Sequence, residues 1–107
     1  MAKAAAQVDV FRAVADPTRR AILDFLRKGP RSVNQIAGTF PVSRPAISKH
    51  LRVLRGSRLV KEHRQGRLHL YELNSRPLRN VDKWIGEYRI FWQKSLRHLK
   101  AYVESEK

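Results

Sequence analysis

The chain has 107 residues, 42% of them hydrophobic, with 23 Lys and Arg against 9 Asp and Glu and a formal net charge of +14. One folded domain over residues 1–107 is expected, because a body of this size withdraws about 65% of its unfolded surface from water, and a disordered basic tail is excluded. The absence of cysteine excludes disulfides, thiolate metal sites and thiol redox chemistry.

No apolar run reaches the ~18 residues of a membrane span, and Gln7 and Asp9 interrupt the stretch from Met1 to Val10 before a signal-peptide core can form. A soluble cytoplasmic protein without a membrane partner is therefore expected. So strong a positive balance points to a polyanion, since Lys and Arg bind nucleic acid by neutralising phosphates and releasing counterions. Between Arg27 and Arg67 stand eleven cations and a single acid, Glu62, which places the anion-binding face in the middle of the chain.

Apart from the short Ala4 to Ala6 run the sequence has no low-complexity segment and no internal repeat. Along the chain, Val10, Phe11 and Val14 fall at helical spacing within a first helix around Val8 to Ala15. Asp16-Pro17 stops it and starts the next, with Asp16 as N-cap and Pro17 at the first helical position. The second helix extends to about Lys28 with Ile22, Leu23 and Leu26 inward and Phe25 a candidate beside them, and Gly29-Pro30 ends it. Ser32-Val33-Asn34-Gln35 is a capping box opening a short third helix with Val33, Ile36 and Ala37 inside. Ser43 caps a fourth, Pro45 lies in its first turn, and Ile47, Leu51 and Leu54 form its buried stripe up to Gly56.

After Arg58 the period changes from 3.6 to 2. The segments from Leu59 to Arg64 and from Arg67 to Leu73 flank Gln65-Gly66 and predict a β-hairpin, with Leu68 and Leu70 on one face, Glu72 a candidate beside them, and a basic tip. Asn74-Ser75-Arg76-Pro77 opens a long last helix. Its apolar residues Leu78, Val81, Ile85, Tyr88, Trp92, Leu96, Leu99 and Val103 step by three and four, widened by Trp84 and Phe91, and such a stripe demands a partner helix. The predicted fold is mainly α with a small β-hairpin, in the order α-α-α-α-β-β-α.

That order is the order of a winged helix-turn-helix, whose second motif helix enters the DNA major groove while the hairpin touches the flanking backbone or minor groove. Turning Ile47, Leu51 and Leu54 inward sends Pro45, Ser48, Lys49 and Arg52 outward in one arc, at about 100° per residue. Arg44 lies at the N-terminal end, and an arginine can donate bidentately to guanine O6 and N7. Ser43 and the first-turn amides can cap a phosphate, Arg31 and Ser32 are placed for the DNA backbone, and Arg64, Gln65 and Arg67 form the wing tip.

On these residues the chain resembles the ArsR/SmtB-type winged-helix transcriptional repressors. The resemblance covers nearly the whole chain and rests on "FRAVADPTRRAILDFL" from Phe11, "VSRPAISKHLRVL" from Val42, the "RLV" that follows and the "QGRLHLYEL" wing. It implies homodimers joined through the first and last helices, operator binding as autorepressors and release of DNA when an inducer binds. Pro41 stands where members often carry a turn glycine, and Arg58 replaces the glycine of the usual Ala-Gly-Leu-Val end; in a left-handed conformation Arg58 would cost about 1 kcal/mol.

The resemblance implies cysteine thiolates for sensing arsenic, cadmium or lead, and this chain has none. Zinc and nickel sensors of the family often place carboxylate and His ligands on the last helix. Setting His98 as the second His of that pattern puts Ile85, Glu87 and Ala101 at the other positions, too few ligands for zinc, so neither metal nor cofactor is expected. His98 is read as a surface or interface residue, His50 as structural, and His63 and His69 as strand residues, with a phosphate contact open to His63.

Val10, Phe11, Val14, Trp84, Ile85, Tyr88, Phe91, Trp92 and Leu99 are the expected dimer interface, with Arg89, Lys94, Arg97 and Lys100 on its polar sides. The aromatic residues allow a second reading as a small-molecule pocket, so an unidentified inducer stays open as a partner. No HExxH, glycine-rich phosphate loop, cysteine nucleophile or paired acids point to an enzyme. The expected function is a homodimeric, sequence-specific repressor on double-stranded DNA. The alternative is an architectural or RNA-binding protein using the same charge without sequence choice.

Overall fold

Short polar side chains set the helix starts. Asp9 Oδ1 accepts from Phe11 N at 2.9 Å, Asp16 Oδ2 from Arg19 N at 3.0 Å, Ser32 Oγ from Gln35 N at 3.2 Å and Ser43 Oγ from Ala46 N at 3.3 Å. Each such cap contributes about 1 kcal/mol. In the computed structural model, which describes residues 8–106, these caps and the segments between them give α1 (Val10–Val14), α2 (Pro17–Leu26), β1 (Arg31–Ser32), α3 (Val33–Thr39), α4 (Arg44–Gly56), β2 (Val60–Gln65), β3 (Leu68–Leu73) and α5 (Leu78–Ser105). The Ala4–Ala6 run, and the expectation about a signal peptide over Met1–Gln7, lie outside the described residues.

The observed order adds one element to the expected one. The two residues of β1 pair antiparallel with β3, Arg31 opposite Tyr71 and Ser32 opposite Leu70, so the hairpin becomes a three-stranded sheet in the order β1-β3-β2. The hairpin runs from Val60 opposite Leu73 to Gln65 opposite Leu68, and Gly66, φ 63°, takes the first position of its two-residue turn.

Ala13, Ile22, Ile36, Ile47, Leu54 and Leu59 are wholly buried, and Val10, Leu23, Leu26, Leu51 and Val60 complete a core shared by α1 to α4 and the start of β2. One expectation is corrected here. In α1 the buried pair is Val10 and Ala13, three residues apart, so Val10 belongs to the chain's own core, while Phe11 is exposed. In β3 the residues packed on the core are Tyr71 and Leu73, which share a face with Val60; Leu70 is buried on the opposite face and Leu68 is exposed.

The end of α4 is a Schellman motif. Leu59 N donates to Leu54 O and Arg58 N to Arg55 O, both at 3.0 Å, and Leu54 and Leu59 supply the accompanying buried apolar contact. Arg58 occupies the left-handed position with φ 65°. Asn74 fixes this turn from the far end of the wing, its Nδ2 donating to Arg58 O and its N to Leu59 O, both at 2.8 Å.

Leu78 and Val81 of α5 rest on the core, and Trp84 meets Phe11 edge-on at 5.6 Å. Beyond that the helix leaves the domain, and none of its 28 residues is buried. The described chain spans 66 × 37 × 23 Å with a radius of gyration of 19.0 Å, against about 13 Å for a compact chain of this length.

Candidate nucleic-acid interface

The helix-turn-helix is α3, the turn 40–43 and α4. Its inner surface is held by Ile36, Ile47, Leu51 and Leu54, and Phe40 in the turn meets Phe25 edge-on at 6.0 Å. This packing leaves Arg44, Pro45, Ser48, Lys49 and Arg52 exposed along one side of α4. No ion pair or side-chain hydrogen bond among the described residues occupies those cations, so their charge is free to meet an anion.

The first turn of α4 has less to offer a phosphate than its sequence suggests. Ser43 Oγ already takes the Ala46 amide, Ser43 O takes the Ile47 amide at 3.0 Å, and Pro45 has no N–H. The Arg44 amide remains. Ser32 is likewise engaged in its capping box, its N donating to Gln35 Oε1 at 2.8 Å. Arg31 is half-buried, its guanidinium 5.1 Å above the Phe25 ring, a cation–π contact that fixes where the side chain leaves the surface.

Behind the arc, Arg19 ties three helices. Its Nε donates to Ala13 O at 2.8 Å, its Nη2 to Arg12 O at 3.0 Å, and its Nη1 lies 3.4 Å from His50 Nδ1 on α4. His50 Nδ1 is also 4.0 Å from Asp16 Oδ2. The Arg19 amide bond to Asp16, assisted by His50 and the Arg19 charge, holds the Asp16 carboxyl below its ordinary value against a smaller opposing effect of burial.

In the wing, Arg64, Gln65 and Arg67 are exposed. The structure adds a network the sequence reading missed. Glu62 Oε2 pairs with Arg55 Nη1 at 2.8 Å, Glu62 Oε1 lies 3.1 Å from His69 Nδ1, and Arg64 Nε donates to His69 Nε2 at 2.9 Å. A neutral His69 with its proton on Nδ1 satisfies both contacts, donating to Glu62 and accepting from Arg64. Burial and the nearby Glu62 carboxylate push the Tyr71 hydroxyl above its usual range, partly opposed by Arg55. His63 lies 3.6 Å from Glu72 on the other face. The signal for the network was the isolation of Glu62 among eleven cations.

Of the expected interface residues, Val10 faces its own core and Val14 and Ile85 are half-buried, whereas Phe11, Trp84, Tyr88, Phe91, Trp92 and Leu99 are exposed. Phe11, Trp84, Tyr88 and Phe91 form a continuous aromatic row with centroid separations of 5.6, 5.2 and 6.5 Å. His98 is exposed on α5, and among the described residues no group of three or more His, Asp or Glu is placed to hold a metal ion. No helix among them is long and apolar enough to cross a membrane.

The sequence profile of the arsR family of bacterial regulatory proteins matches residues 16–62, from the Asp16 cap to Glu62. The chain is 40% identical over 77 residues to the transcriptional repressor SdpR of Bacillus subtilis, covering 72% of this chain and 86% of that one. It is 38% identical over 96 residues to the HTH-type transcriptional regulator Rv2034 of Mycobacterium tuberculosis, covering 90% and 87%. The chain belongs to the ArsR family. A crystal structure of an ArsR family transcriptional regulator superposes with a TM-score of 0.69 at 35% identity, covering 79% of this chain and 88% of that one. This ArsR-family chain is accordingly a DNA-binding transcriptional repressor and not an enzyme. The profile ends before the wing tip and α5.

Proposed function

We propose that the chain acts in the cytoplasm as a single winged helix-turn-helix unit and a homodimer, binding an inverted-repeat operator and repressing its own gene. The observation that carries this reading is the pairing of an unoccupied cationic arc on α4 with an uncovered apolar row on α5. Arg44 and Arg52 read base edges in the major groove, Ser48 and Lys49 flank them, and Pro45 packs against the groove wall. Arg31, Ser32, Ser43, Arg64, Gln65 and Arg67 engage phosphates or the adjacent minor groove.

Trp84, Tyr88, Phe91, Trp92 and Leu99 are between 44% and 66% exposed, too much aromatic and aliphatic surface to leave in water. A second copy covers it, with Phe11 and Val14 at the edge of the contact. The two α4 helices then address half-sites about 10–10.5 bp, or a multiple, apart.

A genome-wide binding map followed by anisotropy titration tests the reading. The expected result is an inverted repeat upstream of the protein's own gene, bound as a dimer and resistant to random-sequence duplex at moderate salt. Equal competition by random duplex would instead assign the charge to non-specific nucleic-acid binding.

A further inference from the structure

Arg58 is held in a left-handed conformation, φ 65°, at the one position of the Schellman motif where glycine is free of strain. A side chain kept at such a position points to a use for that side chain. Arg58 lines a cleft of about 750 Å³, within the size range of small-molecule sites. Lys61 at the start of the wing and Arg76 before α5 line the same cleft. Among the described residues none of these three side chains makes an ion pair or a hydrogen bond. Asp9, the one acid in the lining, already accepts from Phe11 N at 2.9 Å. Phe11 and Pro77 supply apolar wall.

The carbonyls at the end of α4, which would repel an anion, are taken: Gly56 O accepts from Val8 N at 3.0 Å, Arg55 O from Arg58 N at 3.0 Å and Val53 O from Ser57 N at 3.1 Å. We infer that this cleft is a binding site for a small organic anion, a carboxylate with an aromatic or short aliphatic body whose charge meets Arg58, Lys61 and Arg76 and whose body lies on Phe11 and Pro77. A DNA phosphodiester would leave the apolar wall unused, which favours the free small anion. The cleft joins α1, the end of the recognition helix, the base of the wing and the approach to α5. An occupant therefore touches all four at once. Binding itself is independent of the proposed operator function; only its consequence for DNA release rests on that reading.

The test uses the full chain with benzoate, octanoate and inorganic phosphate as probes, read by calorimetry and by backbone amide shifts. At least one organic anion is expected to bind saturably, at one site per chain and more tightly than phosphate, with shifts centred on Arg58, Lys61 and Asn74. Arg58→Gly is expected to weaken that binding about tenfold, the loss of one charge-assisted contact, while raising the unfolding temperature because the strain is gone. Arg58→Lys retains most of the affinity. The inference is overturned if no organic anion gives localised, saturable shifts, or if Arg58→Gly binds as the wild type does. It is also overturned if Arg58→Gly weakens every duplex DNA alike while the organic anions fail to bind, which would make the three cations phosphate contacts. Anion binding that depends on Arg58 in a protein showing no operator preference would leave the site standing and the proposed function refuted.

Discussion

Glu62 Oε2 lies 2.8 Å from Arg55 Nη1, so the last turn of the recognition helix and the first strand of the wing share one ion pair. His69 and Arg64 extend it toward the wing tip. The pair is partly shielded, with Glu62 20% and Arg55 52% exposed at the side chain, and a coupling of about 0.5–1 kcal/mol is expected in a double-mutant cycle of Arg55→Ala and Glu62→Ala. Glu62→Gln should weaken DNA binding a few-fold without altering the ranking of base substitutions in the operator, because it loosens the wing and leaves the α4 arc intact. A changed base preference in Glu62→Gln, measured by anisotropy over a set of single-base variants, would refute that role.

Arg44 and Arg67 should separate the two modes of DNA contact. Arg44→Ala is expected to cost about 1–3 kcal/mol on the operator and to relax base preference. Arg67→Ala should weaken all duplexes together and reduce the salt slope by about one unit per subunit. Equal losses on operator and random DNA for Arg44→Ala would remove it from the groove.

Trp92 stands 54% exposed in the row that the dimer is proposed to cover. Trp92→Asp would place an unpaired charge in the centre of that contact, which costs several kcal/mol of association. Monomers in light scattering, with specific binding lost and helical content retained, are the expected outcome. A wild-type monomer at micromolar concentration that still binds one half-site tightly would exclude the model.

Asp16 gives the stability a pH dependence of known sign. Its folded-state carboxyl titrates below the ordinary aspartate range, chiefly through the Arg19 amide, so the ionised form is the stabilising one. The contribution is complete at pH values above the unfolded value and is lost as pH falls through the folded one. Urea unfolding of wild type and Asp16→Asn should therefore show a gap near pH 6 that closes in the acid range. A gap that stays constant down to pH 2 would remove the carboxylate charge from the account.

The helix-turn-helix was legible because its signals are local. Ser43, Pro45 and the Ile47, Leu51, Leu54 spacing lie within twelve residues of one another and need nothing distant to be interpreted. β1 was not, since two residues carry no period and become a strand only by pairing with Tyr71 and Leu70 about forty positions later. Which face of β3 turns to the core was not legible for a related reason: it is decided by Val60 across the hairpin, which shares a face with Tyr71 and Leu73. The contacts of Glu62 and the cleft beside Arg58 are assembled from separate elements, and no motif in the chain announces them.

The bonds from Asn74 to Arg58 and Leu59 close the wing at its neck. Everything between those residues is a loop whose two ends are already fixed in space, and lengthening such a loop changes its closure entropy only slowly. The turn at Gly66 and Arg67 lies far from that closure, in exposed chain. The wing tip is thus a place where the reach of the protein along DNA can be lengthened or shortened in evolution with little disturbance of the domain that carries it.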